Sequence, residues 1–216
     1  MYKFVIFDLD GTLLNTLGDL ASSGNWVCGQ MGWPTHPLDA YRYFVGSGIP
    51  NLVWRFAPKG ISEADHARAL ALYDEYYAAH KTDTTAPYPG VAGLLEELRQ
   101  RGVRYGVVTN KDHRAAVEMV RFYFGSAIPS VQGRVDGVPI KPAPGTTLRL
   151  METLGADPAA TLFVGDSNVD IATARAAGLA GCGVLWGFRT RKELEEAGAD
   201  WIAADIPALR RIILGE

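Results

Sequence analysis

Phe4-Val5-Ile6-Phe7-Asp8-Leu9-Asp10-Gly11-Thr12-Leu13 decides the fold. Four consecutive apolar residues read as a strand buried on both faces, as in a parallel sheet. The acids follow at once. In an open parallel sheet the crevice lies beyond the carboxyl ends of the strands, so Asp8 and Asp10 are expected to project into it. Two carboxylates about 4 Å apart repel by about 4 kcal/mol at an effective dielectric of about 20, so the pair calls for a cation or a shared proton. Asp10-Gly11 is also ordinary turn chemistry, and an isolated copy of this run would serve as a loop.

Working outward, the first strand is expected at 3–8 and others at 103–109, 161–165, 181–186 and 200–203. Helical patterns lie between them. Val91, Leu94, Leu95 and Leu98 recur at helical spacing before Gly102, and further helices are expected from Asp112 to Gly125, over 145–154, and from Ile171 to Ala177. Thr190 with Glu193 forms a capping box for a last one, closed by Gly198. The alternation predicts an α/β fold, a three-layer Rossmann-like parallel sheet covered on both faces. Residues 130–140, with Gly133, Gly137 and Pro139, are expected as a flap or weak strand pair.

Residues 15–86 break the rhythm, with helical stretches punctuated by Gly32, Pro34, Pro37, Pro50, Pro58 and Gly60. The clearest is 62–80, opened by Ser62 and Asp65, with a face of His66, Leu70, Tyr73, Tyr77 and His80. A helical block inserted after the first strand reads as a cap domain, 15–86, on a core domain of 1–14 and 87–216.

Three more segments carry chemistry. Leu162-Phe163-Val164-Gly165-Asp166-Ser167-Asn168-Val169-Asp170 repeats the pattern of an apolar strand ending in acid, and Asp170 falls in the first turn of a helix, where the dipole favours a carboxylate. Helix capping by Asp166 or Ser167 fits the same residues. Tyr105-Gly106-Val107-Val108-Thr109-Asn110 ends a strand in a hydroxyl able to bond a phosphate oxygen, beside the Asn110 N–H; a strand terminator and turn residue would look alike. Lys141-Pro142-Ala143-Pro144 supplies one cation before a proline-initiated helix, although a lone lysine there is commonly solvated.

The composition narrows the classes. The 216 residues are 48% hydrophobic and 21% charged with a net charge of −3, an ordinary globular balance without the basic footprint for nucleic acid or an anionic membrane. Cys28 and Cys182 lie in no CxxC, so a cysteine zinc site is not expected. The apolar run from Leu179 to Phe188 is too short to span a bilayer, and Asp8 and Asp10 interrupt any leader-like start. A cytoplasmic protein is expected.

Asp8-Leu9-Asp10-Gly11-Thr12, Thr109, Lys141 and Gly165-Asp166-Ser167-Asn168-Val169-Asp170, in that order, resemble the haloacid dehalogenase superfamily of phosphohydrolases. The helical insert resembles that family's C1-type cap. The resemblance implies that Asp8 is the nucleophile, forming an aspartyl-phosphate, and that Asp10 is the general acid/base. It gives Thr109, Asn110 and Lys141 to the substrate phosphate. It gives Mg2+ as cofactor, held by Asp8, the Asp10 main-chain carbonyl and Asp166, with Gly11, Thr12 and Asp170 in support. Phe44-Val45-Gly46-Ser47-Gly48-Ile49 and Val184-Leu185-Trp186-Gly187-Phe188-Arg189 resemble the phosphoglycolate phosphatase branch, which implies 2-phosphoglycolate as substrate. That branch often has Asp after Asp-Gly-Thr-Leu-Leu, where this chain has Asn15. Pyrophosphate and small sugar phosphates therefore stay open, as does a phosphomutase.

Selection of the leaving group is expected of the cap, through Gly46, Ser47, Gly48 and Arg42, with Tyr43, Trp54 and Arg55 as neighbours that equally suit packing or solvent. Bare N–H groups at a helix start suit an anion. Trp186 and Phe188 either line the cleft or pack. A serine esterase is disfavoured because none of the four histidines, His36, His66, His80 and His113, follows Ser167 and no GxSxG occurs. A receiver-like signalling module would share acids, Thr and Lys at strand ends, but needs neither Asp10 nor an insert. The partner is thus a small phosphate compound, with no nucleic acid or membrane; monomer and homodimer are both compatible.

Overall fold

A computed structural model describes residues 1–216. In chain order the elements begin with β1 (Phe4–Phe7), β2 (Leu14–Asn15), α1 (Leu17–Met31), α2 (Leu38–Phe44), α3 (Ile49–Phe56), α4 (Glu63–His80) and β3 (Ala86–Pro87). They continue with α5 (Val91–Gln100), β4 (Arg104–Asp112), α6 (His113–Phe124), β5 (Val131–Arg134) and α7 (Gly145–Leu154). The last are β6 (Thr161–Gly165), α8 (Asn168–Ala176), β7 (Ala180–Val184), α9 (Arg191–Glu196), β8 (Trp201–Ala203) and α10 (Ile206–Leu214). The chain divides into two compact units, Met1–Leu14 with Pro87–Glu216, and Asn15–Ala86.

The first unit carries a six-stranded parallel sheet in the order β5-β4-β1-β6-β7-β8. Alternation along β1 sends Val5 and Phe7 to one face and Phe4 and Ile6 to the other. The first pair joins Leu94, Leu95, Leu98, Met119, Leu209 and Ile213 from α5, α6 and α10. The second joins Leu150, Met151, Leu154 and Ala174 from α7 and α8. Two helical layers around one sheet give the expected three-layer α/β fold. Strand order reverses beside β1, which makes its carboxyl end the switch point where such sheets form a crevice. Phe7 lies opposite both Val107 and Val164, so Asp8 falls level with Val108 and Gly165, one residue before Thr109 and Asp166.

Several boundaries differ from expectation. Within residues 130–140 the structure has one edge strand, β5 at Val131–Arg134, rather than a strand pair, and 135–140 follow it without regular structure; an edge position bonds on one side only and tolerates Gln132 and Gly133. β4 runs past residue 109 to Asp112 because it keeps pairing with β5 there. β7 stops at Val184, and Leu185 to Arg189 turn away. Helix α10 was not expected, although Asp205 caps Ala208 N–H at 2.7 Å and Pro207 occupies its first turn.

The second unit is helical, α1 to α4, and the two-residue strands β2 and β3, which straddle its two boundaries, pair as a two-stranded sheet. Ser62 and Asp65 form the expected capping box, and α4 buries His66, Ala69, Tyr73 and Tyr77, with Leu70 and His80 half-buried. Asp19 on α1, 1% exposed, accepts four bonds from one short segment. They come from Thr84 N at 2.8 Å, Thr84 Oγ1 at 2.5 Å, Thr85 N at 2.9 Å and Thr85 Oγ1 at 2.6 Å. Burial opposes its charge, but these donors outweigh burial and hold its pKa below the usual carboxylate value. No helix of the chain is long and apolar enough to cross a membrane.

Asp19→Ala leaves four donors without their acceptor and is expected to lower unfolding free energy by about 3 kcal/mol at neutral pH, read from urea curves. The depressed folded pKa makes this contribution complete above the unfolded carboxylate value of about 4 and lost as pH falls through the folded one. The difference between wild type and variant should therefore narrow in acid.

Candidate active site

The carboxyl edge of β1, β4 and β6 gathers most of the expected core residues in the α/β unit. Asp8 follows β1, and its Oδ1 accepts from Leu9 N–H at 2.7 Å and from the Lys141 ammonium at 2.9 Å. Its Oδ2 accepts from no protein group, which leaves one oxygen of a fixed carboxylate available to attack. Lys141 Nζ also donates to Asp170 Oδ1 at 2.7 Å. Asp170 Oδ2 in turn accepts from Ser167 N at 3.0 Å and Ser167 Oγ at 2.6 Å. Capping and site support, alternatives in the sequence, are thus one arrangement here.

Asp166 Oδ2 accepts from Phe188 N–H at 2.7 Å and Oδ1 from Thr12 Oγ1 at 3.5 Å. Thr109 and Asn110 are buried at the end of β4. The Asn110 side chain bonds both ways with the Lys141 main chain, donating to its O at 3.1 Å and accepting from its N at 2.8 Å. Asn110 therefore fixes the lysine, a role for its side chain that the sequence does not announce. Lys141 is not the solvated cation that its neighbouring prolines suggested: its side chain is 2% exposed.

Carboxylate oxygens of Asp8, Asp166 and Asp170 lie within 4.8 Å of one another. Burial and then the Asp170 charge push Asp166 up to about 7, against the Phe188 N–H and Arg189. Burial, followed by the same Asp170 charge, raises Asp8 well above the carboxylate range despite Lys141. Burial alone would lower Lys141, but Asp170 and Asp8 more than reverse it and hold the ammonium charged. Four carboxylates, counting Asp10, face two directly paired ammonium groups, Lys141 and Lys111. This excess of negative charge, presented by hard oxygen donors, fits a divalent cation of the Mg2+ type. Asp170 is committed to Lys141 and Ser167, so Asp8 and Asp166 are the acids with capacity for it. The Asp10 carboxylate lies outside the cluster and is turned to Lys111.

In the helical unit, Gly46 to Gly48 precede α3. Arg55 fastens this loop, donating to Phe44 O at 2.7 Å and to Ser47 Oγ at 3.0 Å. Arg42 pairs with Asp39 at 3.3 Å, and Trp54, 39% exposed, stacks on His66.

Residues 5–184 match the family model of haloacid dehalogenase-like hydrolases. The chain belongs to that family. A phosphoglycolate phosphatase of Pseudomonas putida is 33% identical over 213 residues, covering 96% of this chain and 78% of that protein. One from Haemophilus influenzae strain 86-028NP is 33% identical over 221 residues, covering 98% of each. The crystal structure of a Lactobacillus delbrueckii subsp. bulgaricus protein assigned as a phosphoglycolate phosphatase is 32% identical, with a TM-score of 0.94, and covers 100% of this chain and 99% of its own. This haloacid dehalogenase-like hydrolase is an enzyme, and its relatives place it with the phosphatases of the family. The reading as a non-catalytic receiver falls.

Two features of this hydrolase escaped the sequence. Lys111 reads there as a charge after a turn residue, yet it is buried. The turn after β7 acts through main-chain and ring N–H groups: Phe188 N–H holds Asp166, and Trp186 Nε1 donates to Thr12 O at 3.0 Å. Trp186 is thus both packed and bonded to the loop after β1. Gly187 lets that turn approach, since a Cβ there would overlap the Asp166 side chain and lie 2.5 Å from Gly11 O. Gly187→Ala is expected to cost about 1–3 kcal/mol by overpacking, read from denaturation midpoints, and to lower phosphate release by displacing Asp166.

Proposed function

We propose that this hydrolase removes phosphate from a small phosphate monoester, 2-phosphoglycolate first among them, through an aspartyl-phosphate on Asp8. The observation that carries the mechanism is the Asp8 carboxylate itself: one oxygen is held by Lys141 and Leu9 N–H, the other is unengaged, at the switch point of the sheet. The substrate is supported by the names of the relatives, each about one-third identical over nearly the whole chain.

Mg2+ would be held by Asp8, the Asp10 main-chain carbonyl and Asp166. When bound it would stabilise charge on the transferring phosphoryl group as a Lewis acid. Lys141, Thr109 and the Asn110 N–H bind the phosphate oxygens. Asp8 Oδ2 attacks phosphorus, forming the P–Oδ2 bond as the bond to the leaving oxygen breaks, and Asp10 gives that oxygen its proton. Asp10 then takes a proton from water as the water oxygen attacks phosphorus. The P–Oδ2 bond breaks, phosphate leaves and Asp8 is regenerated. Splitting one displacement into two in this way lowers each barrier. Asp170 acts by holding Lys141, and Thr12 by holding Asp166. Gly46, Ser47, Gly48 and Arg42 are assigned the choice among leaving groups, because the groups of the α/β unit address only phosphate and metal.

Phosphate release at neutral pH with Mg2+ is expected to be fastest with 2-phosphoglycolate, compared with pyrophosphate and a panel of sugar phosphates. Asp8→Asn and EDTA should each reduce it to background. Faster release from another compound would keep the mechanism and replace the substrate, whereas isomerisation without phosphate release would make the protein a mutase.

Metal binding has its own readout. At about 100 times its dissociation constant Mg2+ should stabilise the fold by about 2.7 kcal/mol, seen as a rise in Tm, and Asp166→Asn should abolish that rise. An equal rise in the variant would remove Asp166 from the metal site.

A further inference from the structure

The Asp10 carboxylate has one polar partner in the protein, the Lys111 ammonium, 3.2 Å from Oδ1 and 3.3 Å from Oδ2. The Lys111 side chain is 3% exposed and that of Asp10 15%. Holding a long, flexible side chain in one place requires a rigid mount. The end of β4 supplies it. Val108 lies opposite Gln132 and Asp112 opposite Arg134, so four steps along β4 match two along β5 and the stretch between them bulges. Bulges beside active sites re-aim side chains in this way. Thr109 Oγ1 accepts the Lys111 N–H at 3.2 Å inside the bulge. Across from it, a Cβ on Gly133 would lie 2.7 Å from Lys111 O and 2.6 Å from His113 Cα, so a residue without a side chain lets the strands close.

We propose that Lys111 is a positioning residue of the hydrolytic reaction: the bulged end of β4 fixes its ammonium, which holds the plane of the Asp10 carboxylate for proton transfer at the leaving-group oxygen. This rests on the reading of Asp10 as the acid/base. Lys111 keeps its own protons throughout; the proton that reaches the leaving oxygen comes from Asp10.

The test compares an alkyl ester, 2-phosphoglycolate or another alkyl phosphate that the wild type turns over, with p-nitrophenyl phosphate, whose leaving group departs without a proton. Lys111→Met is expected to lower kcat on the alkyl ester about 100-fold with KM changed less than about threefold, the size of a lost acid–base contribution. Single-turnover release of p-nitrophenolate should fall less than about fivefold, because that step does not use the acid. Lys111→Arg, which keeps a cation on the bulge, should recover most of the alkyl-ester rate, and adding Lys111→Met to Asp10→Asn should cost nothing further. Equal losses on the two esters, no rescue by arginine, or a full extra loss in the Asp10→Asn background would overturn the proposal. Undiminished alkyl-ester hydrolysis by Asp10→Asn alone would instead overturn the acid/base reading, a result that Lys111 variants cannot produce.

Discussion

One buried ammonium organises this site. Lys141 sits between Asp8 and Asp170, and each of the three charges would be costly in that environment without the others. The arrangement leaves little freedom, since Asn110 fixes the lysine main chain and Ser167 takes the far oxygen of Asp170. Residues from β4, the segment before α7, the start of α8 and the end of β1 thereby share one electrostatic balance. A carboxylate oxygen is left over on Asp8 because the rest of the cluster is satisfied around it.

Such a cluster needs a scaffold that tolerates buried charge. The two apolar layers on either face of the sheet supply the stability, and the charges are confined to one edge of it. A parallel sheet does this economically: its register sets Asp8 one step from the levels of Thr109 and Asp166, so residues far apart in sequence meet. The turn after β7 closes the arrangement from the side, holding Asp166 by a main-chain N–H and the loop after β1 by an indole N–H.

The strands that carry acids were legible because an apolar run ending in Asp has few other readings, and β1, β6 and the helices closed by Gly102 and Gly155 stand where periodicity puts them. What stayed hidden has physical reasons. β5 is short, polar and at an edge, so it lacks the apolar signature of a central strand. The bulge that aims Lys111 is a property of pairing between two strands and leaves no pattern in either alone. Phe188 contributes a main-chain N–H, which every residue but proline has. Helix α10 is different: Asp205, Pro207, Leu209 and Ile213 did announce it.

The chain leaves and re-enters the α/β unit through two paired dipeptides, Leu14–Asn15 and Ala86–Pro87, and Asp19 ties the start of the helical unit to its end at Thr84 and Thr85. An insert whose termini are already joined is topologically a side branch. Its replacement by another sequence of different length would disturb neither the order nor the register of the strands that bear the acids. Residues 15–86 can therefore differ in length and sequence while the strands that bear the acids keep their places.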